Sequence, residues 1–260
     1  MHQDKIMVWT DFLAVLPWIA LVFAASGAVK GISGFGMPYV AMPGMIIGLQ
    51  VPVTQAMGWV LVSGFATNIV QLIQHRREWP VLGRLWPLLV SLLVTMAISV
   101  QFLSYLDGDA LLMLVGGMTM IAILSQWWGK WTTSPGRFEK PVLVASGFFS
   151  GLFGGMTSFY GFPSLQVLLA SGIQRETFVF MASLILLSGG LVLGSGLGMQ
   201  GLMNQIDLLI SLLMLIPAVG GLYLGQFIQR RLSPRGFNAV LTVTILGMGF
   251  SMFLRGLSAL

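Results

Sequence analysis

Cysteine is absent from this chain, and only 8% of its 260 residues are charged. The first absence excludes disulfides, thiol nucleophiles and cysteine metal sites. The second excludes a soluble domain of this length, in which about a quarter of the residues would carry charge. Histidine is nearly missing: His2 and His75 both fall in predicted loops, so haem ligation inside a membrane is not expected. There is no H-E-x-x-H, no phosphate-cradling glycine loop and no acidic pair within an apolar run. An embedded enzyme or an ATP-driven pump therefore has no support, and neither a catalytic residue, a cofactor nor a metal is expected. No Asp or Glu lies in the middle of an apolar segment, so the carboxylate proton relay of many transporters is not expected either.

What is present is apolar. Hydrophobic residues make up 56% of the chain and mean hydropathy is +0.90, which predicts an all-α polytopic membrane protein. The pI near 10 does not point to nucleic acid, because the basic residues are spread over several short loops as topology signals. Lys5 followed by an apolar run ending in Ala24, Ala25, Ser26, Gly27 and Ala28 resembles a cleavable leader. The same small-residue pattern recurs at 146–155, where cleavage cannot explain it, so no leader is expected.

Ten apolar segments are expected, at 12–29, 37–49, 53–74, 85–103, 110–128, 141–153, 163–171, 177–197, 206–227 and 237–254. A full span needs about 20 residues. Segments 37–49 and 163–171 are too short and read as half-helices or re-entrant hairpins. Arg76, Arg77, Arg84, Lys130, Arg137, Lys140, Arg175, Arg230, Arg231 and Arg235 all fall on one side of this arrangement. The positive-inside rule makes that side cytoplasmic and puts both termini in the periplasm. An odd number of segments per half inverts the second half relative to the first. The expected organisation is a first transmembrane repeat at 1–129, a cytoplasmic linker at 130–140 and a second, inverted repeat at 141–260, with helices broken near the midplane.

The breaks themselves are the most informative stretches. Gly31, Gly34, Gly36 and Pro38 stand within eight residues, straight after Lys30, with Ser33 among them and Pro43 a turn and a half later. Gly151, Gly154 and Gly155 lead through Thr157, Ser158, Tyr160 and Gly161 to Pro163. Such runs cannot continue a regular helix. Two Gly/Pro-interrupted segments at matching places in two halves point to a transporter binding site. Half-helix N-termini near Pro38 and Pro163 would supply partial positive charge and free N–H groups. Lys30 would add a full charge, or would instead snorkel to the cytoplasmic surface. On the segment 53–74, Asn68 and Gln71 belong to a polar stripe that lines a pathway or makes interhelical hydrogen bonds. Gln166 is a weaker counterpart in the second half.

With both breaks in view, the chain resembles the sulfite exporter TauE/SafE family of anion permeases. The first half carries Gly31-x-x-Gly34-Phe35-Gly36-x-Pro38, then Ala41-Met42-Pro43, then a long helix ending at Arg76-Arg77-Glu78-Trp79. The second carries Gly151-x-x-Gly154-Gly155, then Gly161-Phe162-Pro163, then Arg175-Glu176-Thr177-Phe178, and a tail from Gly221 to Arg230-Arg231-Leu232. The family's second break often reads Gly-Gly-Pro-Pro, whereas here it is Tyr160-Gly161-Phe162-Pro163, so no particular substrate is carried over. The resemblance implies export of sulfite, sulfoacetate or similar organosulfonates across a bacterial inner membrane by alternating access. The partners expected are a small anionic substrate and the lipid bilayer, with a homodimer as a further candidate because glycine-rich faces pack closely. The substrate-contacting set comprises Lys30, Ser33, Gly34, Gly36, Asn68, Gln71, Gly154, Gly155, Thr157, Ser158, Tyr160 and Gln166. Gly31, Pro38, Pro43, Gly151, Gly161 and Pro163 shape the breaks. Two rival readings are an exporter of the drug/metabolite superfamily, with a neutral or cationic substrate, and a non-transporting membrane scaffold subunit.

Overall fold

The computed structural model describes residues 9–124, 139–203 and 205–229, together with 246, 250, 253–254 and 256–258. Among the described residues every regular element is a helix. In order they are α1 (Trp9–Ser33), α2 (Met37–Gly48), α3 (Val53–Gln74), α4 (Leu82–Ser99), α5 (Gly108–Leu124), α6 (Glu139–Thr157), α7 (Ser164–Ala170), α8 (Arg175–Met199), α9 (Gln205–Leu213) and α10 (Leu215–Gln229). The predicted segment 237–254 lies largely outside the described residues, as do 130–138 of the linker. Glu139 and Lys140, assigned to the linker, are instead the first two residues of α6.

Five stretches are long and apolar enough to cross a membrane: Val15–Ser33, Val53–Gln74, Arg76–Tyr105, Arg175–Met199 and Gln205–Gln229. The surface agrees with that reading. Trp18, Val94, Leu191 and Ile216 face outward, while Lys30, Asn68, Gln71, Ser183 and Asp207 are buried. The protein is a multi-pass membrane protein. The last of these stretches, expected as one helix, turns at Met214 between α9 and α10. Pro217 explains it: with no N–H it cannot bond the carbonyl of Leu213, so the ladder opens one turn earlier.

The tightest helix pairs are α1 with α10 and α4 with α6, followed by α3 with α8. Every one of these pairs crosses the predicted boundary between halves. Glycine is what lets the first two pairs close. A methyl group on Gly31 would lie 2.2 Å from the carbonyl oxygen of Leu222, and one on Gly225 would lie 2.1 Å from that of Ala28. On the other pair, a methyl on Gly147 or Gly151 would lie 2.3 Å from the carbonyl of Leu88 or Leu92. This corrects the expectation for two residues. Gly31 and Gly151 do not break their helices; α1 runs on to Ser33 and α6 to Thr157. Their missing side chains bring backbones together, the small-residue packing that holds helices in lipid. Helices α3 and α8 run antiparallel. Ser183 donates to Gln71 Oε1 at 3.1 Å, Gly190 faces the Phe65 ring and Gly194 faces Leu61.

Side-chain contacts gather the charged helix ends at one end of the bundle. Arg84 pairs with Glu139 at 2.6 Å, Thr177 donates to Glu78 at 2.6 Å, and Gln226 donates to Gln74 at 3.0 Å. Helix α1 finishes at this end, where the Ile32 carbonyl accepts from Arg175 and Gln229. Helix α6 starts there and finishes at the other end, with Gly155 against Ser99 and Val100.

Candidate functional site

The chain leaves α1 after Ser33 through Gly34 and Gly36, whose φ values of 86° and 98° suit glycine alone. Ser33 holds this turn, donating to the carbonyl of Val29 at 2.8 Å and to that of Phe35. Pro38 then opens α2, a position where a missing N–H costs nothing. No side chain caps the α2 N-terminus. Pro43 sits inside α2 and is buried. The second turn runs from Ser158 to Pro163, with a cis peptide bond between Phe162 and Pro163 and Ser158 at φ 64°. Thr157 closes α6 by donating to the Phe153 carbonyl and accepting from the N–H of Phe159. The expected free N-terminus near Pro163 is not free. The Ser164 N–H donates to Ser150 Oγ at 2.8 Å, and α7 spans only seven residues.

The two turns meet in the interior. Lys30, Pro38, Asn68, Ser158 and Tyr160 line one cavity of about 30 Å³ with Met37, Met57, Val60, Leu61, Gly64, Phe65, Leu186 and Leu193. That volume is room for one or two waters and no more. Pro38, Ser158 and Leu186 also wall a smaller void of about 10 Å³, whose far side is Phe35, Tyr39 and Phe159. Phe35 stacks edge-on against Phe178 (5.6 Å between centroids) and against Tyr39 (6.2 Å), and Tyr39 lies 4.9 Å from Phe159. Phe35 follows α1, which ends at the charged end of the bundle, and Phe178 lies in the first turn of α8, which starts there.

Lys30 is the centre of the cavity's polar end. It is 1% exposed, so it does not snorkel. Its ammonium donates to Thr67 Oγ1 at 3.0 Å and to Asn68 Oδ1. Both partners are neutral, and among the described residues no carboxylate pairs with it; the one ion pair is Arg84 with Glu139. A buried cation held only by neutral oxygens is incompletely compensated, and a negative charge is the chemistry that would complete it. Asn68 must turn its oxygen toward the ammonium, which has no acceptor, so its amide nitrogen points away from Lys30. Ser158 Oγ is buried with no hydrogen-bond partner. Ser164 Oγ is likewise unpartnered but lines neither void, whereas Ser158 faces a cavity with room for a water or a ligand atom.

The remaining predicted residues separate into groups. Gly36 and Gly161 lie by the second void. Gly34 packs on Val179, Gly154 on Tyr160, and Gly155 on Ser99. Gln71 is engaged by Ser183 and stands outside both voids. Ser33, Thr157 and Gln166 line neither. Tyr160 donates to the Leu186 carbonyl at 3.2 Å. The sequence reading missed Thr67 as a direct partner of Lys30, although it lies on the same polar stripe. It also missed Asp207, in the first turn of α9, which is buried and accepts from the Trp59 indole at 2.8 Å.

A family model described as Sulfite exporter TauE/SafE matches residues 19–252. No curated protein and no solved structure matches the chain.

Proposed function

Because the chain belongs to the sulfite exporter TauE/SafE family, we propose that it is a permease of the bacterial inner membrane that exports small sulfur-containing or organic oxyanions, binding them at the Lys30 cavity. The observation that carries this reading is the buried Lys30 with neutral partners only, beside an uncapped α2 N-terminus and an unpartnered Ser158 hydroxyl. All three offer positive charge or donors, and they come from both halves of the chain. Alternating access fits the closed cavity: a site that holds only water must open to one side before it admits an anion. An inverted-repeat relation between the halves fits the reciprocal pairing of α1 with α10 and of α6 with α4. In this reading both termini are periplasmic and the charged bundle end is cytoplasmic.

The test is thermal stability of the purified protein with sulfite, sulfate, sulfoacetate, taurine, acetate, an uncharged sulfone and a cationic alkylamine. A ligand of the folded state adds RT ln(1 + [L]/Kd), about 2.7 kcal/mol at a hundredfold excess over Kd. The expected result is a shift with sulfonates or sulfite, none with the sulfone, and loss of the shift in Lys30→Met. The unliganded variant should melt no lower, since it removes an incompletely compensated charge. Lys30→Met binding these anions as tightly as the native protein would remove Lys30 from the site. A shift confined to amines would favour a drug/metabolite exporter instead.

A further inference from the structure

Helices α4 and α6 run side by side from the charged end of the bundle, with Gly147 and Gly151 of α6 against the carbonyls of Leu88 and Leu92. An apolar groove of about 620 Å³ follows this seam on the outer surface. Trp86, Val90, Val94, Ile98 and Phe102, each about half exposed, recur at every fourth residue and form one wall. Val144, Phe148 and Leu152 repeat that spacing on the other. From Trp86 to Phe102 the groove runs roughly 24 Å along α4 and its extension. Its hydroxyls are turned inward. Ser91 donates to the Val144 carbonyl at 2.8 Å, Thr95 to the Ser91 carbonyl at 2.8 Å, and Ser99 to the Gly151 carbonyl at 2.7 Å. A partner helix in lipid is held by close contact at small residues and by interhelical hydrogen bonds. Here the glycines of α6 are already taken up by α4, and the hydroxyls are engaged. Hydrocarbon is what the groove accepts.

One end of the groove is different. Lys140 stands one turn before Val144 on the same stripe of α6, and it is exposed. The pairing of Arg84 with Glu139 sets Lys140 level with the Trp86 turn of α4, and it also neutralises the acid next to Lys140 in the chain. Among the described residues Lys140 itself makes no ion pair.

We propose that this groove is a binding site for an anionic phospholipid, separate from the Lys30 cavity, with the lipid phosphate on Lys140 and one acyl chain in the groove. The Trp86 indole offers a second donor at headgroup level, where tryptophan is commonly found. The chain then runs between Val90 and Phe148 through the half of the groove next to Lys140, within the roughly 15 Å of its own leaflet. A zwitterionic lipid brings its own cation against Lys140 and is held less well.

The experiment is quenching of a single bimane label on the full chain, reconstituted in phosphatidylcholine vesicles. The chain has no cysteine, so Val94→Cys places one label on the groove's rim. Ile216→Cys places a control label on α10, at a side chain that is 76% exposed. The quencher is phosphatidylglycerol or phosphatidylcholine brominated on its acyl chains. At position 94, half-maximal quenching is expected with about fivefold less brominated phosphatidylglycerol than brominated phosphatidylcholine, the preference one lysine gives near an anionic headgroup. At position 216 the two lipids should quench alike. Lys140→Gln should remove the preference at 94, and Lys140→Arg should keep it. Equal quenching by both lipids at 94, the same preference at 216, or a preference that survives Lys140→Gln overturns the site. A label at 94 that neither lipid reaches, while 216 is quenched, shows the groove covered by a protein helix and overturns it as well.

Discussion

At the residue scale, Lys30 and Asp207, both buried among the described residues, have different tasks. Lys30 lines the cavity, and Asp207 does not. Asp207 and Ser211 stand one turn apart on α9 and hold α3 at Trp59 and Val62. Asp207 accepts from the Trp59 indole, while Ser211 donates to the Trp59 carbonyl at 2.7 Å and accepts from the Val62 N–H. The expected role of Asp207 is to fasten α9 to α3. Asp207→Asn keeps an acceptor for the indole and should cost little. Asp207→Leu leaves the indole N–H buried and unpaired and should destabilise by about 1–3 kcal/mol. Paired unfolding measurements in mixed micelles check this. Equal losses in both variants would show that the charge, not the acceptor, matters. This contact was illegible in the sequence because a helix's first turn reads as an interface position. Only the packing of α9 shows that Asp207 faces inward.

At the element scale the glycines divide by what they face. Those at 27, 31, 221 and 225, and those at 147, 151 and 155, meet backbone of the partner helix. Gly64 meets nothing within 4 Å. Gly151→Val would put side-chain carbon on the Leu92 carbonyl, which cannot step aside, and should separate α4 from α6 and abolish stable accumulation. Gly64→Ala fills open space in a helix interior and should stabilise by up to about 1 kcal/mol. Thermal melts of the two variants separate close packing from helix propensity. The repetition of these glycines was visible in the sequence, but their role was not: a run of small residues looks the same whether it ends a helix or seats one. A second element-scale expectation concerns Phe35, poised between two glycines in the left-handed region and pressed on Phe178. Phe35→Ala should open a route from the charged bundle end to Ser158. The chain has no cysteine, so Ser158→Cys reports alone. Its labelling by a membrane-impermeant maleimide from the cytoplasmic face should speed up at least tenfold when Phe35 is alanine. Unchanged labelling would show that the aromatic cluster is packing and not a gate.

At the scale of the whole molecule, hydropathy placed most of the helices within a few residues, because in lipid the length of an apolar run is itself a physical constraint. The pairing of helices across the two halves was not legible. It depends on which faces of near-uniformly apolar helices meet, and no periodic pattern marks those faces. The energetics of export follow from the assembled interior. The groups lining the cavity include Lys30 and Tyr160 but no carboxylate, and Asp207 is turned to Trp59 and Ser211's side of α3. Nothing beside the anion offers a proton-carrying carboxylate, and the groups there that could exchange a proton are Lys30, which the anion itself would hold charged, and Tyr160. The membrane potential suffices: one charge moved through 100 mV is worth about 2.3 kcal/mol, roughly a fiftyfold concentration ratio. An inside-negative potential drives an anion outward. In proteoliposomes loaded with anion, efflux should rise with an inside-negative potassium diffusion potential set by valinomycin. It should persist when a proton-exchanging ionophore removes only the pH gradient. Efflux that stops on collapse of the pH gradient at constant potential would require a proton carrier within the cavity and would overturn a purely voltage-driven export.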